Sequence, residues 1–296
     1  MSPSPPARGS SMKIGIALGR LNPAHFLDVA LAGERLGYES VWLPEHLILP
    51  SGMSGSPRPG ETHPPIPADT PVFDAFVYLA FLAGRTRSIR LGTGVYNIGL
   101  RHPFVTARAV QTLDVVSGGR AELGVGASWL AEEWQAAGLD FATRGRRIDE
   151  ALAVCKRLWT EPEIAHRGEF FGFDAVRFEP KPVQRPWPPI SIGGESERAL
   201  ERAALHGDGW IGMSHDLGSA ARQIARLRAR LETHGRDPRR FEVSVTADVG
   251  DAEEVARFGA LGVTRLIVAP WRRSREAVEA LTHLAGRLGL AARRSE

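Results

Sequence analysis

A carboxylate and an imidazole stand side by side in the segment Pro44-Glu45-His46. Imidazole titrates near neutral pH and is the side chain most often used for proton transfer, so His46 is a candidate general acid or base. Glu45 beside it is a second candidate for acid–base work. The same two side chains could instead cap a loop, and their spacing alone leaves both interpretations open.

Three glycine-containing segments could bring backbone atoms close to a bound group. Glycines in residues 92–97 (GTGVYN) indicate a bulge or a close backbone approach, and tight packing would explain them equally well. Residues 193–196 (GGES) precede a predicted helix, where backbone N–H groups can bind a phosphate or simply form a turn. Residues 124–133 (GVGASWLAEE) also turn into a helix, but they match neither the dinucleotide-binding fingerprint nor the nucleophile elbow.

Metal and nucleophile sites find little support in the sequence. His25, His46, His63 and His102 fall in four separate segments, and no HxH or HExxH pair is present. The single cysteine, Cys155, lies in an apolar helical pattern, which predicts a core residue and excludes a disulfide. We therefore expect no metal site.

Eight short, β-rich apolar runs recur along the chain, and several are apolar on both faces. This pattern is typical of parallel strands that are covered by helices. The predicted strands are Lys13–Leu18, Ser40–Leu43, Arg90–Tyr96, Arg120–Val125, Pro189–Gly193, Gly209–Gly212, Phe241–Ala247 and Thr264–Ala269.

Helical patterns separate these strands, so strand and helix alternate eight times. The predicted helices are Ala24–Leu36, Pro71–Ala83, Pro103–Val116, Ile148–Trp159, Arg198–Leu205, Ala220–Leu231, Ala252–Leu261 and Arg275–Leu288. So regular an alternation favours a closed (β/α)8 TIM barrel of the α/β class over an open sheet. Such barrels carry their active site at the carboxyl-terminal ends of the strands, where the candidate residues fall.

Two long segments interrupt the alternation. Residues 47–70 are rich in Pro, Gly and Ser, and residues 160–188 contain an alternating stretch typical of a short hairpin. Long insertions on a barrel are usually lids or binding loops, so we predict insertion loops at the carboxyl-terminal face. Without internal repeats or a second core, we predict a single domain over residues 12–296 and a disordered tail at residues 1–11.

The length, charge and composition of the chain limit the kinds of molecule that it is expected to bind. The 296 residues suit one large barrel, and the formal net charge of +3 arises without any run of basic residues. The chain shows neither a secretion-signal pattern nor an apolar run long enough to span a bilayer. We expect a cytoplasmic, soluble protein that acts on a small molecule and binds neither nucleic acid nor membrane.

At its strand ends the sequence resembles the luciferase-like monooxygenase superfamily, in the branch of F420-dependent oxidoreductases. The resemblance covers about residues 12–271 and rests on RLGYESVWLPEHL, RTRSIRLGTGV, RHPFVTARAVQTLDVVSGGRAELGVGASWLAEEW, RGRRIDEALAVCKRLWT, PKPVQRPWPPISIGG and RAALHGDGWIG. It implies a (β/α)8 barrel that binds the deazaflavin coenzyme F420. The implied reaction is hydride transfer between this cofactor and a small organic substrate.

The resemblance also implies roles for individual residues. The cofactor ring would lie over Gly94 and Val95, where relatives often have a non-proline cis peptide bond. His46 would stand beside the reactive carbon as the acid or proton donor. The other implied cofactor contacts are Glu45, Asn97 at the polar edge or sugar-alcohol chain, Glu132, and Gly193, Gly194 and Ser196 at the phosphate.

One position departs from the sugar-phosphate dehydrogenases of this branch. Those enzymes place a catalytic glutamate after the glycines of the fourth strand, where this sequence has Trp129. The departure argues against a sugar-phosphate substrate and for a more apolar one.

Two alternative functions stay open. An FMN-dependent two-component monooxygenase, which uses dioxygen and reduced flavin from a partner reductase, would have nearly the same site. A non-catalytic protein that stores or carries a flavin or deazaflavin would need no titratable group beside the ring, so His46 argues against it. Relatives often form homodimers through barrel helices, and we expect a homodimer here.

Overall fold

The computed structural model describes residues 12–56 and 66–291. The predicted tail and residues 57–65 of the first insertion lie outside the described residues. The strands are β1 (Lys13–Ala17), β2 (Ser40–Leu43), β3 (Arg90–Thr93), β4 (Ala121–Val125), β5 (Ile164–Arg167), β6 (Gly172–Val176), β7 (Ile190–Gly193), β8 (Gly209–Gly212), β9 (Glu242–Thr246) and β10 (Arg265–Val268). Eight of them close a parallel barrel in the order β1-β10-β9-β8-β7-β4-β3-β2, which confirms the predicted fold.

Helices cover the outside of the barrel. They are α1 (Phe26–Leu36), α2 (Ala75–Ala83), α3 (Pro103–Val116), α4 (Ala131–Ala136), α5 (Arg144–Thr160), α6 (Glu197–His206), α7 (Leu217–Thr233), α8 (Ala252–Leu261) and α9 (Ala277–Leu288), with short 3-10 turns at Pro23–His25, Ile98–Leu100, Phe141–Thr143, Pro238–Arg240 and Ser274–Glu276. None of the helices in the described ranges combines the length and the apolar character that a bilayer span requires.

Two helices differ from the prediction in informative ways. Helix α2 begins at Ala75 rather than at Pro71. The Asp74 carboxylate accepts a hydrogen bond from the Val77 N–H at 3.0 Å and caps the helix there. Helix α4 follows the turn predicted after the fourth strand but was not among the eight predicted helices, because its six residues are too few to show a helical period.

Trp42 fills the centre of the barrel. A Cβ atom added to Gly15 would lie 2.9 Å from the indole Nε1, and one added to Gly92 would lie 2.6 Å from Cε3. The indole N–H donates to the Ser40 hydroxyl at 2.8 Å. Packing against Trp42 therefore explains Gly92, the first glycine of the segment 92–97, without a ligand.

The amino-terminal end of the barrel holds a cluster of buried ions around Arg265. This fully buried guanidinium donates to Glu39 at 2.9 and 3.0 Å, to Glu122 at 2.9 Å, and also to Glu242. Buried carboxylates are tolerated only when they are paired and hydrogen-bonded. Paired charges thus fill this end of the barrel, opposite the end where the candidate residues lie.

The second insertion takes a different position from the predicted one. It forms the expected hairpin, β5–β6, but it connects α5 to β7 and packs along the outside of the barrel. The Glu150 carboxylate of α5 accepts the N–H groups of Phe170 and Phe171 at 2.9 and 3.0 Å, and Phe173 packs against Phe104 of α3 at 4.6 Å between ring centroids. Its aromatic side chains therefore cover the helices rather than the barrel mouth.

Candidate active site

The carboxyl-terminal end of the barrel exposes the backbone at Gly94. The Gly94–Val95 peptide bond is cis, as the resemblance implied. The Gly94 N–H donates to the Leu43 carbonyl at 2.8 Å, and the Tyr96 N–H donates to the Gly124 carbonyl at 2.7 Å. The segment thus continues β3 between its two neighbouring strands, and Gly94 itself is exposed. A flat group can approach the backbone here.

The Val95 side chain lies across the barrel mouth. A Cβ atom on Gly126 would stand 2.5 Å from Val95 Cγ2, and one on Gly193 would stand 2.8 Å from Val95 Cγ1. Both positions at the ends of β4 and β7 therefore need glycine to make room for this valine. Val95 also packs against the buried cluster that contains Trp42, so the mouth has an apolar floor.

Asn97 and Glu45 are both buried beside this floor. The Asn97 backbone N–H donates to Glu45 Oε2 at 3.0 Å. Among the described residues, Asn97 Oδ1 has no hydrogen-bond partner although it is buried. A buried amide oxygen without a donor costs free energy, so this atom indicates a place for a donor on a ligand.

The Glu45 carboxylate is engaged on both of its oxygens. Arg101 Nη2 donates to Oε1 at 2.6 Å, while the Asn97 N–H occupies Oε2. Burial raises the pKa of Glu45, and the Arg101 charge opposes that rise. The same guanidinium lies 4.6 Å from the centroid of the Tyr96 ring. Glu45 therefore anchors the backbone that carries Asn97.

His46 lies between Trp129 and Glu133. Its ring meets Trp129 edge to face, with centroids 6.1 Å apart, and its Nδ1 is 3.2 Å from Glu133 Oε2. Glu133 is fully buried, and its Oε1 accepts the Leu47 N–H at 2.6 Å. The His46 side chain is 21% exposed, and its Nε2 has no protein partner within residues 12–56 and 66–291. Glu133 could not be told from Glu132 in the sequence, because the two glutamates differ only in their burial and in the groups that they contact.

Glu132 makes its hydrogen bonds with the first insertion. Its Oε1 accepts the Ser54 N–H at 3.0 Å and also the Ser54 hydroxyl, and the Ser54 hydroxyl lowers the pKa of Glu132. Its Oε2 is buried without a partner among the described residues. The insertion is thus attached to α4 through two successive glutamates, Glu132 and Glu133.

Gly193, Gly194 and Ser196 form the turn into α6. Gly194 has φ +121°, and a Cβ atom there would stand 2.9 Å from the Cβ of Ala199, so the turn requires glycine. The Gly194 carbonyl accepts the Trp210 indole N–H at 2.9 Å, and the Ser196 hydroxyl caps the helix by accepting the Ala199 N–H at 3.2 Å. The backbone N–H groups of this helix terminus suit an anion such as a phosphate.

A second buried carboxylate and imidazole lie behind this turn. The Glu195 carboxylate accepts the Met213 N–H at 2.8 Å, and both of its oxygens are 3.1 Å from His215 Nε2. His215 Nδ1 is 3.1 Å from the Ser219 hydroxyl. Both ring nitrogens are therefore occupied by protein groups, and the pair joins the loop after β8 to the turn before α6.

Neither a metal cluster nor an exposed thiol is found in the described parts of the chain. No group of three or more His, Cys, Asp or Glu side chains there is placed to hold a metal ion. Cys155 is buried in the core, as predicted, and burial raises the pKa of its thiol.

Comparison with known proteins shows which family the chain belongs to. The luciferase-like monooxygenase family model matches residues 6–295, so the chain belongs to this family and is an oxidoreductase. It is 30% identical to an uncharacterised protein of Mycobacterium tuberculosis, over 87% of this chain and 88% of that protein. It is also 30% identical to the F420-dependent glucose-6-phosphate dehydrogenase of Kineococcus radiotolerans, over 85% of this chain and 74% of that enzyme.

A solved structure shares the fold. The F420-dependent secondary alcohol dehydrogenase in complex with an F420–acetone adduct is similar with a TM-score of 0.77 and 17% sequence identity. The similarity covers 96% of this chain and 100% of that one. It supports the barrel architecture described above.

Proposed function

We propose that this protein is an F420-dependent oxidoreductase that transfers a hydride between the deazaflavin and a small apolar substrate. The observation that carries the proposal is the buried Asn97 Oδ1, which has no hydrogen-bond partner within residues 12–56 and 66–291, beside the exposed backbone of Gly94. An apolar floor with an acceptor at its edge fits a flat heterocycle that has N–H donors. The F420-dependent relative from Kineococcus radiotolerans supports this cofactor.

Different residues at the mouth would contact different parts of the cofactor. Val95 would support one face of the ring, and the Asn97 amide would accept a hydrogen bond from its polar edge. The turn at Gly193 and Gly194 would bind the phosphate at the amino terminus of α6. When bound, F420 supplies the carbon that accepts or donates the hydride, and the protein supplies position and a dry environment.

His46 would move the proton that accompanies the hydride. Its ring is partly exposed, and its Nε2 is not occupied by any described protein group, whereas Nδ1 is held by Glu133. A positioned imidazole can give or take a proton near neutral pH. The role of storage alone is disfavoured, because storage requires no such group.

The surroundings of His46 favour an apolar substrate. The Trp129 ring lies against the imidazole, at the position where the resemblance would place a glutamate in sugar-phosphate dehydrogenases. Leu47 and Ile48 follow His46 directly and are 41% and 40% exposed. An apolar rim beside the proton donor would bind uncharged carbonyl or alcohol compounds better than phosphorylated ones.

Replacing Asn97 by Ala should raise the dissociation constant for F420 about tenfold. The variant loses one hydrogen bond to the ring edge, which corresponds to about 1–2 kcal/mol. Titration of each protein with oxidised F420, followed by fluorescence quenching, measures this change. Gln135→Ala, which removes an exposed amide from α4, is the matched control and should bind like the native protein. Equal affinities of the native protein and Asn97→Ala would exclude Asn97 as a cofactor contact.

A homodimer and a partner enzyme that reduces the cofactor stay predictions. The exposed apolar side chains Val77 and Phe81 on α2, and Val105 and Val116 on α3, support an interface on these barrel helices. Analytical ultracentrifugation at micromolar protein would contradict the homodimer if it showed only a monomer.

A further inference from the structure

Glu133 is a fully buried carboxylate that pairs with a single segment at the end of β2. Its Oε1 accepts the Leu47 N–H at 2.6 Å and the Ile48 N–H at 3.4 Å, and its Oε2 is 3.2 Å from His46 Nδ1. Burying a carboxylate costs far more free energy than burying a neutral polar group, unless the carboxylate is paired and hydrogen-bonded. Glu133 therefore depends on residues 46–48, and they depend on it, although 85 to 87 positions separate them in sequence.

These contacts determine which nitrogen of His46 carries the hydrogen. A carboxylate only accepts hydrogen bonds, and the two backbone N–H groups are directed at Oε1. Oε2 is left for the ring, so Nδ1 must be the donor. Nε2, on the opposite edge of the imidazole, is then the atom that is free to exchange a proton.

We infer that Glu133 is a positioning residue for proton transfer by His46. It selects the Nδ1–H form of the imidazole, and it holds the backbone of Leu47 so that the ring stays against Trp129 with Nε2 available. The inference rests on the proposed function for the use of His46 in the reaction. The hydrogen-bonded form of the ring itself can be measured without cofactor or substrate.

The charged surroundings of Glu133 are consistent with this role. Its negative charge contributes to the raised pKa of Glu45, for which burial is the largest cause. Glu45 is itself paired with Arg101, so Arg101 is already engaged and Glu133 has His46 as its cationic or donor side chain. A carboxylate behind an imidazole fixes which ring nitrogen carries the hydrogen and orients the ring.

The variant Glu133→Gln distinguishes a role in positioning the His46 ring from a role in supporting the packing around α4. Glutamine has nearly the same shape, and its amide oxygen can still accept the Leu47 N–H. Its NH2 group can only donate towards His46, so it must pair with a lone pair on Nδ1. The ring hydrogen then has to move to Nε2, while the packing around α4 is preserved.

The test is a two-bond ¹H–¹⁵N spectrum of cofactor-free protein labelled with [¹⁵N]histidine, at a pH of about 8.5 where an ordinary imidazole is neutral. His46→Gln identifies the signals of residue 46. We expect the Nδ1–H form in the native protein and the Nε2–H form in Glu133→Gln. Glu132→Gln, which changes the neighbouring carboxylate that binds Ser54, is the control and should leave His46 in its native form.

Amide exchange of residues 47–48 supplies a second measurement. Glu133→Ala removes the hydrogen bonds to residues 46–48 and should raise the amide exchange rate of residues 47–48 by about tenfold or more. Glu133→Gln should change this rate less than about threefold. The Nε2–H form in the native protein would overturn the inference without any variant. An unchanged form in a folded Glu133→Gln variant would also overturn it. Failure of the native protein to bind F420 would contradict the proposed function but not this measurement.

Discussion

His46→Gln should lower the turnover number by about 10²- to 10⁴-fold and leave the F420 dissociation constant within about threefold of the native value. The reason is geometric. His46 Nε2 is free of the described protein groups, whereas the atoms assigned to the cofactor belong to Asn97, Gly193 and Gly194. Glutamine fills similar space but cannot exchange a proton near neutral pH.

The measurement is the steady-state oxidation of reduced F420 with a panel of uncharged ketones and enones, and the reverse reaction with secondary alcohols. His283→Gln is the matched control, because this histidine is exposed on α9, outside the candidate site. Native turnover in His46→Gln would contradict the assigned role. A parallel loss of F420 binding would instead make His46 a cofactor contact.

Arg265→Met should destabilise the fold by about 3–5 kcal/mol, because it leaves buried carboxylates without their cation. Glu39 and Glu122 each lie 2.9–3.0 Å from the guanidinium, and Glu242 also contacts it. Although burial raises the pKa of Glu39, the Arg265 charge brings it below its ordinary value. Urea denaturation of the native and variant proteins measures the change in the free energy of unfolding.

The difference in the free energy of unfolding between the native protein and Arg265→Met should shrink as the pH falls. Without the guanidinium, burial would raise the pKa of Glu39 in the folded state above its unfolded value. Such a group stabilises the fold below the unfolded pKa, and this contribution is lost as the pH rises through the folded pKa. Arg257→Met, which removes an exposed cation paired with Glu253 on α8, is the control and should leave the free energy of unfolding nearly unchanged, because water screens an exposed ion pair. A similarly small cost for Arg265→Met would show that the buried cluster is dispensable.

The fold could be predicted because its signals are local and repeated. Strands such as β8, in which all four residues of GWIG are buried, are apolar on both faces, and eight β-rich runs alternate with helical patterns. The helix bounds of α3 and α8 agree with the prediction because a proline and an aspartate mark their starts. The position of the β5–β6 hairpin could not be predicted, because it depends on contacts with α3 that are distant in sequence.

The candidate site was only partly predictable for the same reason. Gly92 and Gly94 look alike in sequence and both face Trp42, but a Cβ atom would lie 2.6 Å from its ring at Gly92 and 3.3 Å from its Cβ at Gly94, and only Gly94 is exposed at the mouth. Glu132 and Glu133 are neighbours, and successive helical residues point about 100° apart, so only one of them can reach His46. Nothing local to a helix of six residues shows which glutamate that is.

The choice between F420 and FMN can be measured by titrating the purified protein with oxidised F420 and, separately, with FMN. We expect fluorescence quenching by F420 with a dissociation constant of about 1 μM or below, and binding of FMN at least about tenfold weaker. A preference for FMN would exclude the proposed F420-dependent function. The protein would then belong with the flavin-dependent monooxygenases, which require dioxygen and a partner reductase.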